Sequence, residues 1–276
     1  MGLVENLYDH FYKKALKTKV VHLCLGLRYT AVVTDAGATG LAFTYTGEGG
    51  CCPKPDDYRD YEGESAVELL ELIKSAQPLA RSMALALING LNHERAKGLA
   101  EAPSDISWMD SFGIGAGSKV AMVGLFAPLM KVLKARGAQV EVIERNGNHM
   151  GGGDLGFARI LHGAEKALFY EKLSGWAQTL ILTSTSILNG TTEEVLSHVG
   201  PEVKVIMLGP STPMVSEAFS GLPVRTLAGT VAMDAEAVLR SVRHGAGTPV
   251  IHRFSRKVLM NLDSPTAGLS ATLCQS

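Results

Sequence analysis

The sequence predicts an α/β fold in two parts, a small antiparallel β-meander with helices followed by an open parallel sheet. Three observations carry this. Between residues 20 and 46, three short β-rich runs are separated by turn residues. From residue 119 onward, nearly continuous apolar runs are each followed by a helical pattern, as expected of parallel strands covered on both faces. Between these regions, over 98–117, hydrophobic periodicity breaks and Gly98, Pro103, Gly113, Gly115 and Gly117 accumulate. The expected division is a front domain over 1–100, a linker over 101–117 and a back domain over 118–276.

Taken in order, Val4, Leu7, Tyr8, Phe11, Ala15 and Leu16 fall at helical spacing and predict an amphipathic helix over Val4–Leu16. Val20–Leu25, Tyr29–Thr34 and Gly40–Thr46 read as strands of a meander. A polar, glycine-rich loop over Gly47–Glu62 holds Cys51-Cys52-Pro53. Helices are expected over Ser65–Ser75 and Leu79–Ala96, the first opened by Ser65 with Glu68 three residues on, the pattern of a capping box. In the back half, Lys119–Gly124, Gln139–Glu144, Thr179–Thr183, Val203–Leu208 and Val224–Leu227 read as strands. Pro128–Arg136, Phe157–Leu173, Thr192–His198, Val215–Ser220 and Asp234–Arg243 read as helices.

Composition narrows the function classes. With 26 Lys+Arg against 27 Asp+Glu, the 276-residue chain has no sequence-wide basic field, and no nucleic-acid partner is expected. Charged residues are 19%, below the roughly 25% usual in soluble domains, which suggests buried surface and a possible homodimer. Met1–Lys14 lacks an apolar signal core, and no stretch approaches about 18 apolar residues, so neither a leader nor a membrane span is expected. Cys24, Cys51, Cys52 and Cys274 are too few for a disulfide framework, and the expected location is a reducing cytoplasm.

Open parallel sheets bind ligands beyond the carboxyl ends of their strands. There the first strand runs into Gly124-Leu125-Phe126-Ala127-Pro128, which is not a dinucleotide fingerprint. The second strand ends in Glu144, where a ribose-binding acid can stand, ahead of the His149-Met150 glycine loop. The third strand leads into Thr183-Ser184-Thr185-Ser186 and Asn189-Gly190-Thr191, hydroxyls and an amide before a helix, suited either to capping or to an anion. Gly209-Pro210-Ser211 and Ala228-Gly229 continue the set of small, close-approach loops. In the front half, Asn89 lies within the apolar run Leu85–Leu91, where an unpaired amide is costly. The candidate ligand-binding residues are therefore Asn89, Phe126, Glu144, Thr183, Thr185, Asn189, Gly190, Thr191, Gly209, Ser211 and Gly229. No nucleophile–base pair stands out.

The runs Val120–Gly124, Thr183 with Asn189-Gly190-Thr191, Leu208-Gly209-Pro210-Ser211 and Ala228-Gly229 resemble a prokaryotic family first catalogued as domain of unknown function 364 and named for heavy-metal chelation. Gly26–Thr30, Gly40–Thr44, Gly50-Cys51 and Ala86–Asn89 resemble its usual companion, domain of unknown function 4213. Gly90 departs from this pattern, since alanine is expected after Asn89. The resemblance covers nearly the whole chain. It implies an enolase N-terminal-like front domain, a Rossmann-like back domain, a ligand cleft between them, and the handling of a metal or a metal-binding small molecule. Soft metals favour thiolate and imidazole donors. Cys51 or Cys52 is the expected metal contact, although adjacent cysteines make a poor clamp and no zinc-type spacing is present. The leading expectation is a small anionic or metal-complexed ligand, with a transition metal as the possible cofactor. The alternatives are an adenosyl compound bound at Glu144 for group transfer, and a non-catalytic carrier.

Overall fold

The computed structural model describes residues 2–46, 58–102, 106–144, 153–154 and 158–262, with Gly153, Asp154 and His162 described through their backbone only. Helix α1, Leu3–Ala15, buries Leu3, Leu7, Phe11 and Ala15, a four-residue recurrence that lines one helix face. Strands β1 (Val20–Leu25), β2 (Tyr29–Thr34) and β3 (Thr39–Phe43) form the expected antiparallel meander in the order β1-β2-β3. Gly37, at φ +73°, makes the β2–β3 turn in a conformation glycine tolerates best. Every residue of β2 is buried. Tyr29, Ala31 and Val33 enter one core and Val32 another, because side chains alternate across a strand.

Helix α2, Ala66–Leu70, continues as a 3-10 turn over Glu71–Lys74. Ser65 stands at its N-cap without a side-chain hydrogen bond, so the expected capping box does not form. The backbone makes the tie instead. Ala66 N donates to Thr18 O at 2.9 Å, and Lys19 and Ser65 form an antiparallel bridge. The single helix expected over Leu79–Ala96 is two, α3 (Pro78–Leu91) and α4 (His93–Lys97). Asn92 divides them, at φ −89° and ψ 0°, while its Nδ2 donates to Met214 O at 2.8 Å. The stretch expected to be linker contains helix α5, Trp108–Ser111, and Trp108, Met109, Phe112 and Ile114 are buried.

The back half then runs β4 (Lys119–Val123), α6 (Ala127–Ala135), β5 (Gln139–Glu144), β6 (Gly153–Asp154), β7 (Ala158–His162), α7 (Lys166–Gly175), β8 (Thr179–Thr183), α8 (Thr185–Leu188), α9 (Thr192–Ser197), β9 (Lys204–Leu208), β10 (Val224–Ala232), α10 (Ala235–Arg243), α11 (Thr248–Ile251) and β11 (Ser255–Asn261). Where a helix was expected over Phe157–Leu173, the first part is strand β7. Its buried Ala158 and Ile160 flank exposed Arg159 beside β5, a two-residue period hidden within a longer apolar pattern. Helix α10 is capped as its sequence suggests, with Asp234 Oδ1 accepting from Ala237 N at 2.9 Å.

The strand order is β11-β10-β9-β8-β4-β5-β7-β6. Six strands, β10 through β7 in that order, pair in parallel, and β11 and β6 are antiparallel edges. In chain order the parallel strands read 3-2-1-4-5-6, the Rossmann arrangement, with its switch point between β4 and β8. One core joins α1 and α3 to β8, β9 and α7. A second covers the opposite face of the large sheet with α5 and α6. A third packs the outer face of β2 and β3 against α10 and Ile251. The small sheet is therefore held between α3 and α10, one element from each half of the chain. No helix among the described residues is long and apolar enough to cross a membrane.

Candidate functional site

A cavity of about 460 Å³ opens at the carboxyl ends of β4, β9 and β10 and is bounded by α11 and β11. That volume is in the range of small-molecule sites. Pairing fixes what its floor presents. Leu208 of β9 lies beside Ala228 of β10, which lies opposite Leu259 of β11, giving an apolar row. Two residues along β10, on the same face, Thr230 lies opposite Lys257 and gives a polar row. Trp108, Leu125, Phe126 and Leu129 continue the apolar wall.

The loops are shaped by contacts behind the cavity. Gly124 has φ +82°, and a side chain there would press on Thr183. Glu144 Oε2, at the end of β5, accepts from Leu125 N at 2.7 Å and ties down the loop that carries Phe126. Gly209 has φ +134°, and a Cβ would lie 2.6 Å from Ser184 Oγ. A Cβ on Gly229 would lie 2.7 Å from Met214 Sδ. At Gly209 the positive φ and the Ser184 contact both favour glycine, and at Gly229 a side chain would require Met214 to move.

The polar side of the cavity is built by α11. Thr248 and His252 stand four residues apart and both line it, so they share a helix face. The front sheet reaches this point: the hydroxyl groups of Tyr29 in β2 and Thr248 are hydrogen bonded at 2.6 Å. Burial pushes the Tyr29 phenol above its ordinary pKa, partly offset by that bond.

Of the residues singled out from sequence, Phe126, Gly209 and Gly229 line the cavity. Glu144 stands behind it through Leu125. The third-strand loop does not line it. Thr183 Oγ1 accepts from Thr185 N at 3.3 Å, and Asn189 Oδ1 accepts from Thr191 N and Oγ1 at 3.1 and 2.7 Å. Gly190 abuts the Arg81 guanidinium of α3. These donors and acceptors shape α8 and α9, whose Ser186, Ile187 and Leu188 are buried beneath α3. Ser211 is fully buried, its Oγ accepting from Phe43 N at 2.7 Å. Asn89 Nδ2 donates to Leu41 O at 2.8 Å, beside a small polar void shared with Asn92, His93 and Thr212. Ser211 and Asn89 tie the small sheet to its neighbours instead of facing the large cavity. Cys51 and Cys52 lie outside the described residues. Among the described residues no three His, Cys, Asp or Glu side chains come together as metal ligands.

Sequence reasoning missed Trp108, Thr248 and Lys257. Trp108 fell in the glycine-rich stretch expected to be linker. Gly247-Thr248-Pro249 did carry a helix-start signal, with Pro at an initial helical position.

Fold and cavity together define a Rossmann-like α/β protein with a cavity of about 460 Å³ at its strand ends. The family model described as "Putative heavy-metal chelation", domain of unknown function 364, matches residues 107–261, and its companion of the same description, domain of unknown function 4213, matches residues 8–92. The chain belongs to this family. Two solved structures of family members, both described as of unknown function, have the same fold. The protein from Pyrococcus horikoshii is 20% identical, with TM-score 0.76 over 94% of this chain and 100% of its own. The protein from Desulfitobacterium hafniense is 17% identical, with TM-score 0.71 over 93% and 99%. No curated protein matches.

Proposed function

We propose that this chain binds a small organic ligand, free or carrying a metal ion, in the cavity at the carboxyl ends of β4, β9 and β10. The observation that carries the reading is the cavity itself, about 460 Å³ with a largely apolar wall at the strand ends where open parallel sheets bind ligands. The family description supports the metal-carrying form. A metal that arrives with an organic chelator needs few protein donors, and His252 offers an imidazole at the wall. Binding is the function supported; among the described residues, no nucleophile–base pair on the cavity argues for a particular reaction.

The test is native mass spectrometry with metal analysis of anaerobically purified protein, alongside an Ala228→Phe variant that fills the floor. The expected result is a small-molecule adduct lost in the variant. An adduct retained in full by a folded Ala228→Phe protein would place the ligand elsewhere. A second reading, an adenosyl ligand, has its own support in the 3-2-1-4-5-6 order with Glu144 at the end of the second strand. It predicts thermal stabilisation by adenosyl compounds that is lost in Glu144→Gln.

A further inference from the structure

We infer that the small polar void beside Asn89 binds a single water molecule, a structural ligand that joins α3 and α4 to β10 and to the turn after β9. The void measures about 10 Å³, at the lower bound for one water and too small for an organic molecule. The first argument is an unpaired hydroxyl. Thr212 lines the void and is 2% exposed, and its Oγ1 is buried with no hydrogen-bond partner among the described residues. Leaving such a group unpaired is costly, and native proteins commonly satisfy it with an ordered water. The turn is not free to find another partner, because Thr212 N donates to Gly209 O at 3.0 Å. Strand β10 adds backbone to the same place. Ala228 O accepts from Gly209 N at 3.1 Å, so its peptide edge faces β9. Thr230, two residues on, faces the same way, but pairing with β9 stops at Ala228. Its N–H and C=O are thus turned toward the stretch that carries Thr212, and both residues line the void.

The second argument is the mixture of donors and acceptors. Asn89 Nδ2 donates to Leu41 O and Asn92 Nδ2 to Met214 O, both at 2.8 Å, so each amide has its Oδ1 left to accept. His93 Nδ1 lies 3.1 Å from Thr39 O and donates to it, since a carbonyl only accepts; the neutral ring then keeps Nε2 as an acceptor. Against these stand the Thr230 N–H, a donor, and the Thr212 hydroxyl, which can act either way. Water gives two hydrogen bonds and accepts two, and so meets both kinds of group. A bare cation would oppose the Thr230 N–H, and an anion would oppose the amide oxygens. Neither would find compensating charge, because no Asp, Glu, Lys or Arg lines the void among the described residues. The bridge spans both family models: Asn89 and Asn92 fall in one, Thr212 and Thr230 in the other. Thr230 also lines the large cavity, so the water borders that cavity's polar row whatever ligand the cavity takes.

The test is a high-resolution crystal structure of the full chain, with a second crystal soaked in rubidium chloride. The expected result is a density peak within hydrogen-bond distance of Thr212 Oγ1 and of Thr230, with no anomalous signal from rubidium. A site without density, or one that rubidium occupies, would overturn the inference. Thr212→Val gives an independent measurement, because it replaces the hydroxyl by a methyl of nearly equal size. Removing an unpaired buried hydroxyl relieves its desolvation penalty and stabilises the fold, whereas removing one that is bonded to a water leaves that water short of a partner. The urea midpoint of Thr212→Val is therefore expected to fall by roughly 0.3 M. A midpoint at or above the native value would overturn the inference. If Thr212→Val does not fold, the native and rubidium crystals decide the matter alone.

Discussion

Gly40 and Gly90 meet where β3 crosses α3. A Cβ on Gly40 would lie 2.0 Å from Ala86 O and 2.1 Å from Gly90 N, both rigid helix backbone, whereas a Cβ on Gly90 would come no closer than 3.3 Å to Gly40 N. The two substitutions should therefore differ sharply. Gly40→Ala is expected to cost about 3 kcal/mol or more, since sheet and helix must separate. Gly90→Ala should stay within about 1 kcal/mol of native, as improved helix propensity offsets the tight contact. Urea denaturation of both variants checks this, and equal losses would show that the crossing is more yielding than its geometry implies. Ser211 gives a second contrast. Removing its hydroxyl leaves Phe43 N without its acceptor, so Ser211→Ala is expected to cost about 1–3 kcal/mol. Its side chain does not face the large cavity, so the variant should hold its ligand as tightly as the native protein, by the native mass measurement proposed above. The same bond explains why sequence reasoning singled out Ser211: a small hydroxyl in a Gly-Pro-Ser turn looks alike whether it serves a ligand or a neighbouring strand.

Among the elements, α4 is fastened to the 3-10 turn over Ser216–Phe219 by Arg95, whose Nη1 donates to both Glu217 carboxylate oxygens at 2.8 and 2.9 Å. The Arg95 bond holds the Glu217 carboxyl down at about 2, against an ordinary value of 4.5. A depressed carboxyl stabilises the fold fully above the ordinary value, and that contribution is lost as pH falls from about 4.5 towards 2. The Glu217 side chain is 53% exposed, so the contribution should be at most about 1 kcal/mol. Glu217→Gln should accordingly flatten the acid limb of a stability-versus-pH curve in that window and leave stability unchanged between variants at the acid end; parallel curves down to pH 2 would contradict it. Elements with a clean period were legible in the sequence: α1, the meander, β4, β5 and β8 fall within a residue or two of expectation, β3 alone ending three residues early. Those fixed by tertiary contact were not. β7 was masked by the helical pattern it precedes, the break at Asn92 depends on a carbonyl 122 residues away, and β11 has no periodic signal apart from its pairing with β10.

For the molecule as a whole, the shared core matters more than the boundary that sequence rhythm suggests near residue 100. Leu85, Leu87 and Ile88 of α3 belong to the same buried cluster as Leu180, Leu182 and Val205 of the large sheet. We expect a single calorimetric unfolding transition for the full chain, and no cooperative transition for a 1–100 fragment, which would expose that face of α3. Two resolved transitions would establish independent domains. The strand-end position of the cavity could be anticipated from alternating strands and helices, but its lining could not, because Lys257 enters it on a returning antiparallel edge and Thr248 on a one-turn helix. The Tyr29–Thr248 bond carries a consequence for inheritance. The two family models match separate stretches of chain, yet a hydroxyl from the first orients a hydroxyl at the rim of the second. A gene that lost the front segment would keep the Rossmann strands and forfeit the alignment of that rim. On the proposed binding function, selection on ligand recognition would hold the two segments together on one polypeptide, as a lock is kept with the plate that aligns its bolt.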